Sequence, residues 1–261
     1  SGNQEVGLID IAVIRVPRIS NFTDFNALEV IPGVSLRYVR HVQELKNPDM
    51  IILPGTKNTM EDLLWMRQIG LEAAVLKKAA EGKIIFGVCG GYQMLGETLS
   101  DPEHVEAGGE IKGMGLLPMD TVFREGKTRT RVEGTFGQVQ GPLHTLTGVN
   151  LEGYEIHMGE TKLHENVESF TRITDTVKNE TKADGAFYNN VYGSYVHGIF
   201  DKEEVAKKVV EAIGEIKGLD VSSMTGVDFA SFKETQYDLL AQGLREHLDM
   251  KKIYQILEEG I

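Results

Sequence analysis

The 261-residue sequence holds a single cysteine, Cys89, so no internal disulfide can form and the framework suits a reducing compartment. It has no uninterrupted apolar run near the roughly 20 residues of a membrane span. Its N-terminus lacks the basic and apolar regions of a secretory signal. The expectation is a cytoplasmic protein with no membrane partner. Positive charge is scarce: 27 Lys and Arg against 39 Asp and Glu leave a net charge of −12. That argues against a nucleic-acid partner, because phosphate backbones are held by basic patches, although a local basic cluster can still bind a small anion. Also missing are G-x-x-x-x-G-K-[ST], which cradles ATP phosphates, and G-x-G-x-x-G, which marks dinucleotide binders. No His/Cys cluster has metal-ligand spacing, so neither a metal nor a cofactor is expected in this chain. The sequence begins Ser1-Gly2 rather than with Met, which reads as a cloning scar on an excised piece.

What is present reads as an α/β protein with an ordinary apolar content of 41%, enough to bury a substantial core. Gly7–Ile14, Ser35–Val39, Met50–Leu53 and Lys83–Val88 are strand-like runs. Helical spacing separates them over Asn21–Leu28, Thr59–Ile69 and Leu71–Glu81, and returns over Tyr92–Leu99. Strands separated by such helices pair in parallel through right-handed crossovers. The expected fold is therefore a flavodoxin-like, doubly wound, mostly parallel sheet. From Gly113 to Phe200 many short β-type segments, including Thr128–Val132, Gly153–Lys162 and Val191–Val196, predict mixed or antiparallel strands that extend it. Helices follow over Glu203–Ile213 and from Phe229 to about Leu257, with a hinge over Leu219–Val227. The domain division expected is 1–218 for the main domain and 219–261 for a C-terminal helical appendage.

Chemistry concentrates where a strand ends in Gly87-Val88-Cys89-Gly90-Gly91 and a helix begins. Small neighbours permit a tight turn that presents a strained, exposed nucleophile. A helix N-terminus favours its thiolate, and the N–H groups after Cys89, Gly90 first, can receive an oxyanion. Gln93 lies one helical turn on, suited to the substrate side. A cysteine nucleophile needs a proton donor for its leaving group, normally histidine. His197, in Gly193–Asp201, stands at a strand terminus and is the first choice; His157, in Gly153–Gly159, is the second. The remaining histidines, His41, His104, His144, His164 and His247, lie in polar, loop-like or helical surroundings. Gly55, in Pro54-Gly55-Thr56-Lys57-Asn58, ends another buried strand, and its N–H is a natural second oxyanion donor. Asn58 or Thr59 also suits the cap of the helix that follows.

At these residues the sequence resembles the class I, triad-type glutamine amidotransferases, and more narrowly the C-terminal glutaminase domain of the cobyric acid synthase family. The resemblance rests on Pro17–Phe25, Leu53–Thr59, Gly87–Gly96, Gly153–Gly159 and Gly193–Asp201. It implies Cys89 as nucleophile, His197 as general base, and glutamine as substrate. It also implies an N-terminal synthetase domain, outside this chain, that uses ATP and Mg²⁺ to activate corrin carboxylates for amidation. Most of the class places an acid two residues after the histidine, where this sequence has Ile199. The cobyric acid synthase branch shares that lack, which leaves Asp201 or a backbone carbonyl to orient His197. The sequence also resembles the glutaminase subunit of the isoglutaminyl synthase acting on lipid II, which shares the elbow and the missing acid, and cobyrinate diamide synthase is a third relative. A non-catalytic docking domain would need neither Cys89 nor His197, and a hydrolase of other amides or esters would use the same elbow.

Overall fold

The computed structural model describes residues 8–126 and 128–221, together with Asp238 and Gln242. The expected helical stretch from Phe229 to Leu257, and the hinge from residue 222 onward, lie outside the described residues. The chain divides into two units, Ser1–Thr225 and Gly226–Ile261; the elements below belong to the first.

The first half follows the alternation read from the sequence: β1 (Ile9–Ile14), α1 (Asn26–Glu29), β2 (Val34–Val39), α2 (Val42–Leu45), β3 (Met50–Leu53), α3 (Thr59–Gln68), α4 (Leu71–Ala80), β4 (Ile84–Val88) and α5 (Gly90–Met94). β1 pairs in parallel with β2 and β3, and β3 with β4. Every residue of β1, β3 and β4 is buried, as expected of parallel strands covered on both faces. Asn58 caps α3, its side chain accepting the Glu61 N–H.

Two helices are shorter than their periodicity suggests. Asn21–Leu28 is a 3₁₀ turn, Phe22–Phe25, followed by the single turn α1. α5 stops at Met94 because the carbonyls of Met94, Leu95 and Gly96 accept N–H groups from the Met114–Leu117 segment instead of from a continuing helix.

After α5 come β5 (Thr98–Asp101), β6 (Gly109–Lys112), β7 (Met119–Val122), β8 (Thr128–Phe136), β9 (Asn150–His157) and β10 (Glu160–Leu163). Then follow β11 (Thr171–Asp175), β12 (Thr181–Asp184), β13 (Ala186–Tyr188), β14 (Val191–Ser194), β15 (Val196–His197) and α6 (Glu203–Lys217). β14 adds to β4 in parallel and β13 to β14 antiparallel, completing a central sheet of order β13-β14-β4-β3-β1-β2. The expected extension of that sheet is thus confined to one edge. The remaining strands form two sheets of their own, β10-β7-β5-β6 and β12-β11-β8-β9-β15. Two segments read as single strands are split between sheets. Gly159, at φ 118°, separates β9 from β10, and Tyr195 separates β14 from β15. The second break carries the chain from the central sheet to β9, where His197 pairs with Tyr154.

Candidate active site

β4 ends at Val88, α5 begins at Gly90, and Cys89 between them takes φ 50° and ψ −110°. A residue with a side chain holds such a conformation only when its surroundings enforce it. Here the Cys89 N–H donates to the Ser194 carbonyl (2.8 Å), while the Cys89 carbonyl accepts the Gln93 N–H (3.0 Å). A Cβ at Gly91 would run into the Leu53 carbonyl oxygen, so glycine is what lets the helix start this close to β3. The thiol is nearly buried and donates to the Ile156 carbonyl on β9 at 3.3 Å.

His197 reaches the same place from β15. Its Nδ1–H donates to Asp24 Oδ2 at 2.7 Å, and the other carboxylate oxygen of Asp24 accepts the Gly198 N–H at 3.0 Å. Asp24 and His197 are both buried. Asn21, in the left-handed region at φ 55°, places its side-chain nitrogen 3.0 Å from the same Nδ1. Burial disfavours the imidazolium, but the hydrogen bond to Asp24 and the contact with Cys89 outweigh it and push His197 up to about 10. The two contacts together favour the charged form of the ring. Gly55 makes room for it: a Cβ there would stand 2.8 Å from His197 Cε1. The acid hydrogen-bonded to the ring is Asp24. The turn at Gly198 (φ 75°) leaves Asp201 exposed, with its N–H on the Gly198 carbonyl (2.9 Å) and its carboxylate beside Gly198. A cleft of about 320 Å³ opens between Thr56, Cys89, Gly90, Ile156 and His197, a volume within the range of small-molecule sites.

Residues 10–205 match the CobB/CobQ-like glutamine amidotransferase domain family. The chain belongs to that family. It is 55% identical over 259 residues to the cobyric acid synthase of Ruminiclostridium cellulolyticum, covering 98% of this chain and 50% of that protein. It is 51% identical to the cobyric acid synthase of Lachnoclostridium phytofermentans, covering 97% and 51%. The chain spans about half the length of these relatives. Among solved structures, the PurLQS structure from Thermotoga maritima aligns at a TM-score of 0.57 and 19% identity over 80% of this chain and 99% of that one. A glutamine amidotransferase crystal structure aligns at 0.53 and 19% over the same shares. Both support the fold.

In this amidotransferase domain Gln93 lines the cleft, yet both of its side-chain N–H groups are engaged within the protein. Its Nε2 donates to the Met158 carbonyl and the Tyr195 hydroxyl, each at 3.2 Å, and its Oε1 accepts the Thr59 hydroxyl at 3.1 Å. Gln93 thus braces two walls of the site. His157 also lines the cleft, stacked on Tyr195 (centroids 3.8 Å apart) with Nδ1–H on the Gly159 carbonyl. Its Nε2 is buried without a hydrogen bond, 3.5 Å from Glu155, and it takes no part in the Asp24–His197 pair. Gly90 lines the cleft, and Gly55 lies behind it against His197. The residue that sequence reasoning missed is Asp24. It stands within the Pro17–Phe25 segment that carried the resemblance, but its partner is 173 residues away, and no local pattern connects them.

Proposed function

We propose that this chain hydrolyses glutamine to glutamate and ammonia through Cys89, His197 and Asp24. One observation carries the reading: a strained cysteine at a strand-to-helix turn shares a cleft with a histidine whose Nδ1 is held by a buried aspartate. Cys89 transfers its thiol proton to His197 and, as the thiolate paired with the imidazolium, attacks the side-chain amide carbon. The resulting oxyanion is received by the N–H groups of Gly90 and Gly55. His197 gives its proton to the departing nitrogen, so ammonia leaves and a thioester remains on Cys89. His197 then takes a proton from water, whose oxygen attacks the thioester, and glutamate departs as the thiolate is restored. Asp24 holds the ring with Nδ1 as donor and stabilises the imidazolium.

The likeness to cobyric acid synthases supports a destination for the ammonia. A synthetase domain N-terminal to this one would use ATP and Mg²⁺ to activate a corrin carboxylate, converting adenosylcobyrinic acid a,c-diamide to adenosylcobyric acid in the cytoplasm. The identity of 51–55% to proteins of that name favours a corrin acceptor over lipid II. The test is glutamate release by the wild type and by Cys89→Ser, followed by ammonia-dependent and glutamine-dependent corrin amidation in the full-length protein. Absence of Cys89-dependent glutamate release under every condition would remove the glutaminase reading.

A further inference from the structure

The chain crosses twice between the central sheet and the sheet β12-β11-β8-β9-β15. One crossing runs from β12 through Gly185 to β13, the other from β14 through Tyr195 to β15. They lie side by side, since Ala186 of β13 pairs with Gly193 of β14. Asp184, the last residue of β12, joins them. Its Oδ1 accepts the Tyr195 N–H at 3.0 Å, and its Oδ2 accepts the Ser194 hydroxyl at 2.6 Å and the Thr171 hydroxyl at 2.8 Å. The Ser194 hydroxyl oxygen in turn accepts the Val196 N–H at 3.0 Å. One carboxylate thus fixes three consecutive residues, and each of them reaches the site. The Ser194 carbonyl accepts the Cys89 N–H at 2.8 Å. The Tyr195 ring stacks on His157, and its hydroxyl accepts from Gln93. Val196 pairs with Glu155 on β9 and directly precedes His197. Asp184 itself does not line the cleft.

We infer that Asp184 is a positioning residue for hydrolysis: it sets Cys89 against His197 by fixing the crossing that holds the one and carries the other. This rests on the glutaminase reading and deepens it. Asp24 acts on the ring of His197, whereas Asp184 acts on the main chain that delivers the ring. Stability alone does not call for a carboxylate here. Asp184 is buried, and taking a carboxylate out of water costs free energy even when it is hydrogen-bonded, so an apolar side chain of similar size is often at least as stabilising. An apolar side chain cannot, however, accept three donors from different directions. Tyr195 belongs to neither ladder, because β14 ends its pairing with β4 at Ser194 and β15 begins its pairing with β9 at Val196. Asp184 supplies the acceptor that the Tyr195 N–H lacks at the break, and so sets the direction in which the chain leaves Ser194. Burial raises the Asp184 carboxyl above its usual range, against the three donors, which favour its charged form.

The experiment measures glutamate release, and the pH dependence of Cys89 alkylation by iodoacetamide, for the wild type, Asp184→Asn, Ser194→Ala and Thr171→Val. Asparagine keeps the size of Asp184 but turns an NH₂ group toward the two hydroxyls, where it cannot accept. Ser194→Ala cuts the link at one point and leaves Asp184 its bonds to Tyr195 and Thr171, so it reads the same geometry if Asp184→Asn does not fold. Thr171→Val removes a donor on β11 rather than at the crossing, and is the control for lost stability. A misplacement of about 1 Å costs roughly 10²-fold in rate. Asp184→Asn should lower kcat by about that factor and Ser194→Ala by less, with KM changed little. In both, the alkylation profile should move to higher pH, toward that of His197→Ala, because the thiolate loses the imidazolium beside it. Thr171→Val should lower the urea midpoint and leave kcat and the profile in place. If Asp184→Asn and Ser194→Ala lower the urea midpoint but keep the wild-type kcat and profile, Asp184 is only structural and the inference is overturned. A Thr171→Val variant that shifts the profile as far as Asp184→Asn overturns it too. Those results leave the glutaminase reading standing. A wild type without Cys89-dependent glutamate release removes that reading instead, and the alkylation profile still decides whether Asp184 places His197 against Cys89.

Discussion

Asp24 and His197 together decide the protonation state of the site. Asparagine at position 24 would place an amide where the ring needs an acceptor for Nδ1–H. Asp24→Asn is therefore expected to lower glutamine turnover roughly 10²–10⁴-fold, the range associated with a positioned acid/base, while the fold survives by circular dichroism. His197→Ala should cost at least as much, and His157→Ala far less, because His157 is outside the pair. With His197 pushed up to about 10, wild-type turnover should fall as pH rises through that value. In Asp24→Asn the fall should come at lower pH. The same shift has a stability sign. A histidine whose folded pKa lies above its ordinary value of about 6.5 stabilises the fold fully below that pH and loses the contribution as pH rises toward about 10. Urea denaturation should show the gap between wild type and His197→Ala narrowing from pH 6 to pH 10. A gap that widens over this interval would contradict a protonated resting histidine.

At the scale of elements, the elbow is the most constrained feature. Gly91→Ala would press a methyl group into the Leu53 carbonyl, and overpacking of this kind costs about 1–3 kcal/mol. The expected result is a lower urea midpoint and a slower alkylation of Cys89, since the strand-to-helix turn must open. This element was legible in the sequence because its determinants are contiguous: an apolar strand, two glycines after the cysteine, and a helix start. β1, β3 and β4 were legible for the related reason that parallel strands buried on both faces read as unbroken apolar runs. The second half was less so. Gly153–Lys162 has one β-type pattern, but β9 and β10 pair with strands distant in sequence, β8 and β7, in different sheets. Pairing is decided by tertiary packing, and periodicity along one segment does not contain it. Asp24 was hidden for the same reason. The short 3₁₀ turn that carries it gains meaning only when β15 leaves the central sheet and delivers His197 to it.

For the molecule as a whole, the segment bearing Asp24 is also tied to the loop bearing Gly55. Ser20 N–H donates to the Gly55 carbonyl (2.9 Å), Lys57 N–H donates to the Arg18 carbonyl (3.0 Å), and Ile19 bridges Thr56. A single displacement of residues 18–24 would move the orienting acid and one proposed oxyanion donor together. Arg18, at the edge of this ladder, is 44% exposed in its side chain and paired with Glu61 and Asp62. The chain spans about half the length of its cobyric acid synthase relatives, and uncoupled hydrolysis would waste glutamine whenever the acceptor is absent. These points predict a chain that is slow alone. One oxyanion donor out of place costs on the order of 10²–10³ in rate, so under the proposed function the full-length protein, given ATP and the proposed corrin acceptor, should release glutamate faster than the isolated chain by about that factor. Cys89→Ala in the full-length protein should abolish glutamine-dependent amidation and spare the ammonia-dependent reaction. If the isolated chain and the full-length protein release glutamate equally fast, with and without ATP and acceptor, the ladder between residues 18–20 and 55–57 is only structural and the glutaminase runs uncoupled.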